Sequence, residues 1–228
     1  MSKLDAALID QHDTLNPKIW TEDQTMRPEV QVALFRIAKE FFEFLEFDAP
    51  LVDVQVTGSQ ANFNYSIHSD LDLHLIVPYS EVECDQPVAD LFDTKRKLWK
   101  QRHTITVHGV PVEVYVEDTD KQAHGAAYSI MKDQWLRKPD RSEAEVQDDD
   151  LIRDVQIWLE RLNTVVQTRD LDQLEEYKTQ LSQYRKDALA RNGEWAHENL
   201  VYKTLRNLGV ISSLMQAILA LKDQDLSI

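Results

Sequence analysis

Three segments of this 228-residue chain alternate strictly between apolar and polar side chains, which limits the possible folds more than any other feature. The segments run from Leu51 to Thr57, from Leu71 to Val77 and from Pro111 to Glu117. Successive side chains of a β-strand point to opposite faces, so each segment predicts a strand with one apolar and one polar face. We therefore expect a sheet that helices cover on one face and leave open on the other.

Two motifs carry the chemistry of this predicted sheet. Gly58 and Ser59 follow the first strand, and Asp70 and Asp72 follow about ten residues later. The two carboxylates share one strand face, about 7 Å apart, because they flank a single residue. Neighbouring anions need a compensating positive charge, which a divalent cation provides. The motifs predict a Mg²⁺ or Mn²⁺ site beside a phosphate-binding turn, as phosphoryl or nucleotidyl transfer requires.

A third carboxylate is predicted on the strand that ends near residue 117. Glu113 lies on the polar face of that strand and would join Asp70 and Asp72 if the strands are neighbours. Glu117 shares the same face and is the alternative. His74 also lies on the acid face, and we interpret it as a polar sheet residue because Mg²⁺ prefers oxygen ligands.

The rest of the chain is predicted to be mainly helical. Helical spacing of apolar residues indicates helices over 28–46, 87–101, 150–168, 171–190 and 197–222. A hairpin is expected to turn near Gly109, between Thr104–His108 and the third alternating segment. The stretch 118–142 is rich in turn residues.

Three domains are expected from this pattern. They are a loosely structured N-terminal arm over 1–27, with Pro17 and Trp20 as anchors, a sheet domain over 28–142 and a helical bundle over 143–228.

Composition excludes several classes of function. The net charge of −15 opposes binding to extended nucleic acid, which usually requires a basic surface. Cys84 is the only cysteine, so no intrachain disulfide is possible and a reducing compartment is favoured. Acids interrupt the first 13 residues, and the apolar run from Asn207 to Leu221 is too short to span a bilayer. We expect a cytoplasmic protein without a membrane partner.

Together these motifs resemble the DNA polymerase β-like nucleotidyltransferase superfamily, over about residues 28–118. The motifs are Gly58-Ser59, Asp70-Leu71-Asp72 and Val112-Glu113-Val114, in the family's order. The resemblance implies an α/β (α+β) fold, in which a mixed sheet open on one face precedes a C-terminal helical bundle. It is closest in character to small stand-alone phage or bacterial members.

The resemblance also implies an activity. It is Mg²⁺-dependent transfer of a nucleoside monophosphate from an NTP to an acceptor, with release of pyrophosphate. The acceptor would be a small hydroxylated molecule, a tRNA 3′ end or a protein side chain. Gly58 and Ser59 would contact the triphosphate, and Asp70 and Asp72 would hold the metal. Glu113 would complete a second metal site and help to deprotonate the acceptor hydroxyl.

One departure from the family pattern implies that the phosphate charge is neutralised from elsewhere or that the activity is weak. Many members carry an arginine just after the Gly-Ser pair, whereas this chain has Gln60. We expect Lys203, within a polar stripe of Asn199, Lys203 and Arg206, to supply positive charge from a helical bundle that closes over the acid face.

Two other interpretations of the function stay open. A non-catalytic nucleotide-binding or interaction module is the main alternative, and a glycosyltransferase with an Asp-x-Asp metal site is a weaker one. Two basic clusters, Lys95–Arg102 and Lys132–Arg141, are interpreted as solvated surface.

Overall fold

A computed structural model describes residues 12–83, 87–121, 125–139 and 148–227 of the chain. The chain divides into two compact units, of which one spans Asp10–Arg141 and the other contains Ser142–Ile228. The first unit holds a mixed sheet and the second is helical. The expected class, an α/β protein with a mixed sheet followed by C-terminal helices, is therefore confirmed.

The sheet contains six strands among the described residues. These are β1 (Asp53–Thr57), β2 (Leu71–Val77), β3 (Thr106–Val107), β4 (Val110–Asp118), β5 (Ala127–Ser129) and β6 (Gln134–Arg137). Their spatial order is β3-β4-β2-β1-β5-β6. Strands β2 and β4 are parallel, and all other neighbours are antiparallel. The order places β2 at the centre, between β1 and β4.

Two helices of the first unit contribute to the core of the sheet. Helix α1 (Pro28–Leu45) begins with proline at its first helical position, where the missing N–H costs nothing. Its buried side chains are Val30, Leu34, Ala38, Phe41 and Leu45. Helix α2 (Val88–Arg102) buries Phe92 and Trp99, and the Trp99 ring packs against Phe41. The apolar side chains of β2 at positions 71, 73, 75 and 77 are also fully buried.

Among the described residues, the second unit contains four α-helices and a short 3-10 turn, Gly193–Trp195. The α-helices are α3 (Asp148–Thr168), α4 (Leu171–Asn192), α5 (His197–Asn207) and α6 (Val210–Leu226). The prediction of one helix over 197–222 is wrong, because the chain bends by 69° between α5 and α6. Gly209 has φ +77° at this bend, a left-handed conformation that glycine adopts without a steric penalty. No single described helix is long and apolar enough to span a membrane, although α5 and α6 together meet the length and composition criteria as a bent pair.

Three sequence predictions in the first unit require correction. The turn-rich stretch 118–142 contains two short strands, β5 and β6. The hairpin before it is shorter in its first strand than expected, because only Thr106 and Val107 pair with β4. Val52 precedes β1 and is exposed, although the alternation places it on the apolar face. Asp53 is expected on the open face but is buried, and its carboxylate accepts hydrogen bonds from Ser129 and Gln55.

The described part of the predicted arm, residues 12–27, is packed rather than loose. Ile19, Trp20 and Met26 are almost completely buried, and Trp20 pairs with Met26 in an isolated bridge. The Trp20 ring stacks on Trp135 of β6. Trp20 is thus an anchor, and Trp135 belongs to this aromatic cluster.

Candidate functional site

The acids predicted from the sequence lie on the central strands of the sheet. Asp72 lies in β2, and Asp70 immediately precedes this strand. Along β2, the residues at 72, 74 and 76 are half-buried while those at 71, 73, 75 and 77 are buried, so the Asp72 carboxylate lies on the face opposite the core, and Asp70 before the strand is also half-buried. The parallel register pairs Asp72 with Glu113 of β4. The fold therefore places the third predicted acid directly beside the second.

Gly58 lies against the carboxylate of Asp72. It follows β1, has φ +73°, and a Cβ atom built on it would overlap Oδ2 of Asp72 and lie 3.2 Å from its Cγ. The antiparallel register explains this closeness, because Thr57 pairs with Asp72. Any side chain at position 58 would displace the carboxylate, and any L-residue would be strained there. The Gly-Ser turn therefore lies against Asp72.

Gln60 holds this turn in place. Its side chain is 1% exposed, and its Nε2 donates to the carbonyl of Ser69 at 3.1 Å, the residue before Asp70. Its Oε1 accepts from Asn16 at 2.8 Å, and its backbone carbonyl accepts from Trp20 Nε1 at 2.7 Å. Every polar group of the side chain has a role, so Gln60 ties the turn to the start of β2 and to the N-terminal segment.

This network gives a physical reason for glutamine at position 60. An arginine in the same position would bring a charge into a buried site whose polar partners are a carbonyl and an amide. Glutamine makes both contacts without a charge. Position 60 therefore has a structural role in this chain. The neighbouring Ser59 is also buried, at the start of a short 3-10 turn, Ser59–Ala61.

Glu113 carries two partners of its own. Lys100 of α2 contacts Oε1, and the hydroxyl of Tyr115 donates to Oε2 at 2.7 Å. Burial alone would raise the pKa of Glu113, but the bonds from Lys100 and Tyr115 outweigh burial and lower it. Burial and the charges of Asp72 and Glu113 raise the pKa of the Tyr115 hydroxyl, which stays a donor. Glu113 is therefore ionised and neutralised within the first unit.

Glu117 is engaged separately, four residues further along β4. Its Oε1 lies 3.3 Å from Nδ1 of His74 and 2.6 Å from Nζ of Lys121. Burial opposes ionisation of Glu117, yet His74 and Lys121 lower its pKa to about 2. His74 also contacts Oγ1 of Thr57 through Nε2 at 2.9 Å. His74 therefore joins β1, β2 and β4 as a polar sheet residue.

The donor set decides how a divalent cation would be held. Mg²⁺ commonly takes one or two carboxylates and completes its shell with water and phosphate oxygens, which fits Asp70 and Asp72 beside Gly58. Among the described residues, no group of three or more His, Cys, Asp or Glu side chains is arranged to hold a metal ion. Glu113 as a further ligand requires that Lys100 leave its carboxylate, and this role stays a prediction.

Lys100 and Tyr115 are the members of this site that the sequence analysis missed. Lys100 belongs to a basic cluster that the sequence analysis interprets as solvated surface, and Tyr115 is not singled out there. A signal for Tyr115 exists, because it lies two residues from Glu113 on the same strand face. Lys100 has no such signal, since the contact depends on how α2 packs beside β4.

The helical unit contains the remaining predicted residue, Lys203. It lies in α5 and is 4% exposed, and Asn199 one turn earlier is completely buried. Nε of Arg185 in α4 donates to Oδ1 of Asn199 at 3.0 Å. Two of the three residues of the polar stripe, Asn199 and Lys203, are therefore buried, and Arg206 is half-buried. The predicted role of Lys203 in nucleotide binding stays a prediction.

Comparison with known proteins adds no relative to this description. No protein-family model, curated protein or solved structure matches the chain. The interpretation of the site consequently rests on its residues and their geometry.

Proposed function

We propose that the chain binds an NTP with Mg²⁺ at Asp70 and Asp72 and transfers its nucleoside monophosphate to an acceptor, releasing pyrophosphate. The close approach of Gly58 to Asp72 carries this proposal. Because Gly58 has no side chain, a triphosphate could contact the backbone of the turn and, at the same time, a metal ion held by Asp72. A solvated surface aspartate would not need a glycine there.

The residues divide the reaction between them. Asp70 and Asp72 would hold Mg²⁺, which neutralises charge on the triphosphate. The hydroxyl oxygen of the acceptor would bond to the α-phosphorus, and Glu113 would accept the proton of that hydroxyl. The bond between the α-phosphorus and the pyrophosphate oxygen breaks in the same displacement. Chemistry of this kind depends mainly on alignment and charge neutralisation, which a rigid central sheet provides.

The acceptor class follows from charge. A chain with net charge −15 favours a small hydroxylated molecule or a protein side chain over a long nucleic acid, and a tRNA 3′ end requires only local contacts. A cytoplasmic location is part of the proposal and is supported by the single cysteine.

A nucleotide-binding module without catalysis is the second candidate. The observation that favours it is the engagement of both Glu113 oxygens by Lys100 and Tyr115. In such a module, Glu113 would serve to anchor α2 beside β4. The two candidates share the nucleotide site and differ in whether Glu113 becomes available as a base.

Labelled NTPs separate these candidates. We would incubate the protein with Mg²⁺, each of four labelled NTPs and a cell extract, and measure transferred label and released pyrophosphate. A transferase predicts that Glu113→Gln reduces turnover by about 10²–10⁴-fold while nucleotide binding persists. Glu81→Gln, an exposed carboxylate of the same unit, is the control. Absence of pyrophosphate release from the wild type would favour the module, and normal turnover in Glu113→Gln would assign the base to Glu117.

A further inference from the structure

Helix α2 presents a row of cations along one side. The row consists of Arg96 and Lys100, whose spacing of four residues places them on one helix face. Both reach the acid face of the sheet. Lys100 contacts Glu113, and the guanidinium carbon of Arg96 lies 5.0 Å from the ring centroid of Tyr115. The row therefore borders the candidate site along β4.

A small cavity lies between this row and β4. Its volume is about 30 Å³, enough for one or two atoms of a bound group or a water molecule. Residues of both elements line it, including Arg96, Trp99, Lys100, His103, Glu113 and Val114. The Trp99 ring stacks on His103 at 3.9 Å and forms an aromatic wall. Arg96 and Lys100 therefore border a space that they share with a single carboxylate, Glu113.

The order of the strands indicates whether this cavity lies on the side of the NTP or on the side of the acceptor. Gly58 follows β1, on one side of β2, while Glu113 lies in β4 on the other side. The triphosphate turn and the cation row are therefore separated by the strand that carries Asp72. In a displacement at the α-phosphorus, the leaving pyrophosphate and the attacking oxygen lie on opposite sides. The row is thus on the side of the attacking acceptor.

We propose that Arg96 and Lys100 form a subsite for an anionic group of the acceptor, a phosphate or a carboxylate. This inference rests on the proposed function for the identity of the acceptor, but the anion site itself can be tested alone. Arg96 also contacts Oδ1 of Asp93 at 2.7 Å, which fixes the direction of its guanidinium. Lys100 is 64% exposed along its side chain and is free to change partner.

The subsite would also control Glu113. An acceptor anion that attracts Lys100 removes it from the Glu113 carboxylate, which then accepts the proton of the acceptor hydroxyl. Without the acceptor, Lys100 keeps the carboxylate neutralised, and attack by water on the NTP is disfavoured. Transfer and binding of the correct acceptor are coupled in this way through one ion pair.

Anion titrations test the subsite on the full chain. We would titrate inorganic phosphate, and in a separate arm acetate, while following the side-chain NMR signals of lysine and arginine. The arm with tighter binding distinguishes a phosphate site from a carboxylate site. Lys100→Gln should weaken binding about tenfold, because one charge-assisted contact is lost. Glu113→Gln should strengthen it, because Lys100 loses its competing partner.

Two further variants separate this inference from the proposed function. Lys39→Gln, an equally exposed lysine on α1, should leave anion binding unchanged. Asp70→Asn/Asp72→Asn should abolish nucleotide binding and keep the anion subsite, so each can fail without the other. Equal anion affinity in the wild type and Lys100→Gln would overturn the subsite.

Discussion

The two units bury polar side chains for different purposes. In the sheet unit, Gln60 and Asp53 bond to groups from other elements, so polar burial connects segments that are distant in the chain. In the helical unit, the buried polar residues Asn199, Lys203 and Thr204 lie on one helix, α5, and Asn199 bonds to Arg185 of the preceding helix, so the connected segments are closer in the chain. The first arrangement fixes the relative positions of strand ends, as a binding site requires. We therefore expect substitutions in the sheet unit to affect nucleotide binding more strongly than those in the helical unit.

The largest effect is expected from Gly58→Ala. The new Cβ would overlap the Asp72 carboxylate and strain a left-handed residue, so Mg²⁺-dependent ATP binding should be lost. Gly109→Ala is the matched control, because Gly109 also has positive φ, at +77°, but a Cβ there meets no atom within 4 Å among the described residues. We expect Gly109→Ala to cost about 1–2 kcal/mol of stability and to leave binding intact. Equal ATP affinity in the two variants would show that the contact between position 58 and Asp72 does not control nucleotide binding.

Removal of the Gln60 side chain should have the next largest effect. Gln60→Ala leaves the buried amide of Asn16 and the carbonyl of Ser69 without their partner, which should cost about 1–3 kcal/mol of stability. ATP affinity should fall as well, because Ser69 precedes Asp70. Chemical denaturation and calorimetry measure the two effects. Gln134→Ala on the exposed edge strand β6 is the control, and a Gln60→Ala protein with normal stability would refute the anchoring role.

Glu117 predicts a moderate dependence of stability on pH. Its pKa is lowered from 4.5 to about 2 in the folded protein, so its ion pairs stabilise the fold above about pH 4.5. This stabilisation is lost as the pH falls from about 4.5 toward 2, where the folded-state carboxylate takes up its proton. The stability difference between the wild type and Glu117→Gln should therefore be present at pH 6 and shrink on acidification. A difference that stays constant from pH 6 to pH 2.5 would contradict this account.

The smallest effect is expected in the helical unit. Lys203→Met removes the charge and keeps most of the apolar volume, so we expect at most about a tenfold loss of ATP affinity. Lys178→Ala, an exposed lysine of α4, is the control for a general change in charge. Identical ATP affinities in both variants would show that the polar stripe of α5 has a structural role in the helical unit and does not contribute to nucleotide binding.

Elements that carry a local pattern in the sequence were predicted correctly, and elements without such a pattern were not. Strand β2 matches the predicted segment from Leu71 to Val77, because alternation over seven residues is a local signal of a strand with one buried face. Strand β5, Ala127–Ser129, has only three residues, all buried, so no alternation exists to detect it. The bend at Gly209 was missed because apolar helical spacing continues on both sides of it.

Within the candidate site, the same distinction holds. The shared face of Asp70 and Asp72 follows from two residues in sequence, whereas the pairing of Asp72 with Glu113 depends on which strands are neighbours. The ion pair between Lys100 and Glu113 needs the packing of α2 as well. The sequence therefore predicts pairs of residues within one strand, whereas contacts between different elements become known only from the fold.

Calorimetry of Mg²⁺-ATP binding tests the central claim, that the Gly58 turn and the acid pair form one nucleotide site. The comparison is between the wild type, Asp70→Asn/Asp72→Asn and the control Glu22→Gln/Asp23→Asn, which removes two exposed carboxylates from the same unit. The account predicts metal-dependent binding in the wild type and the control, and its loss in the Asp70/Asp72 variant. Unchanged metal-dependent binding in the Asp70/Asp72 variant would contradict it.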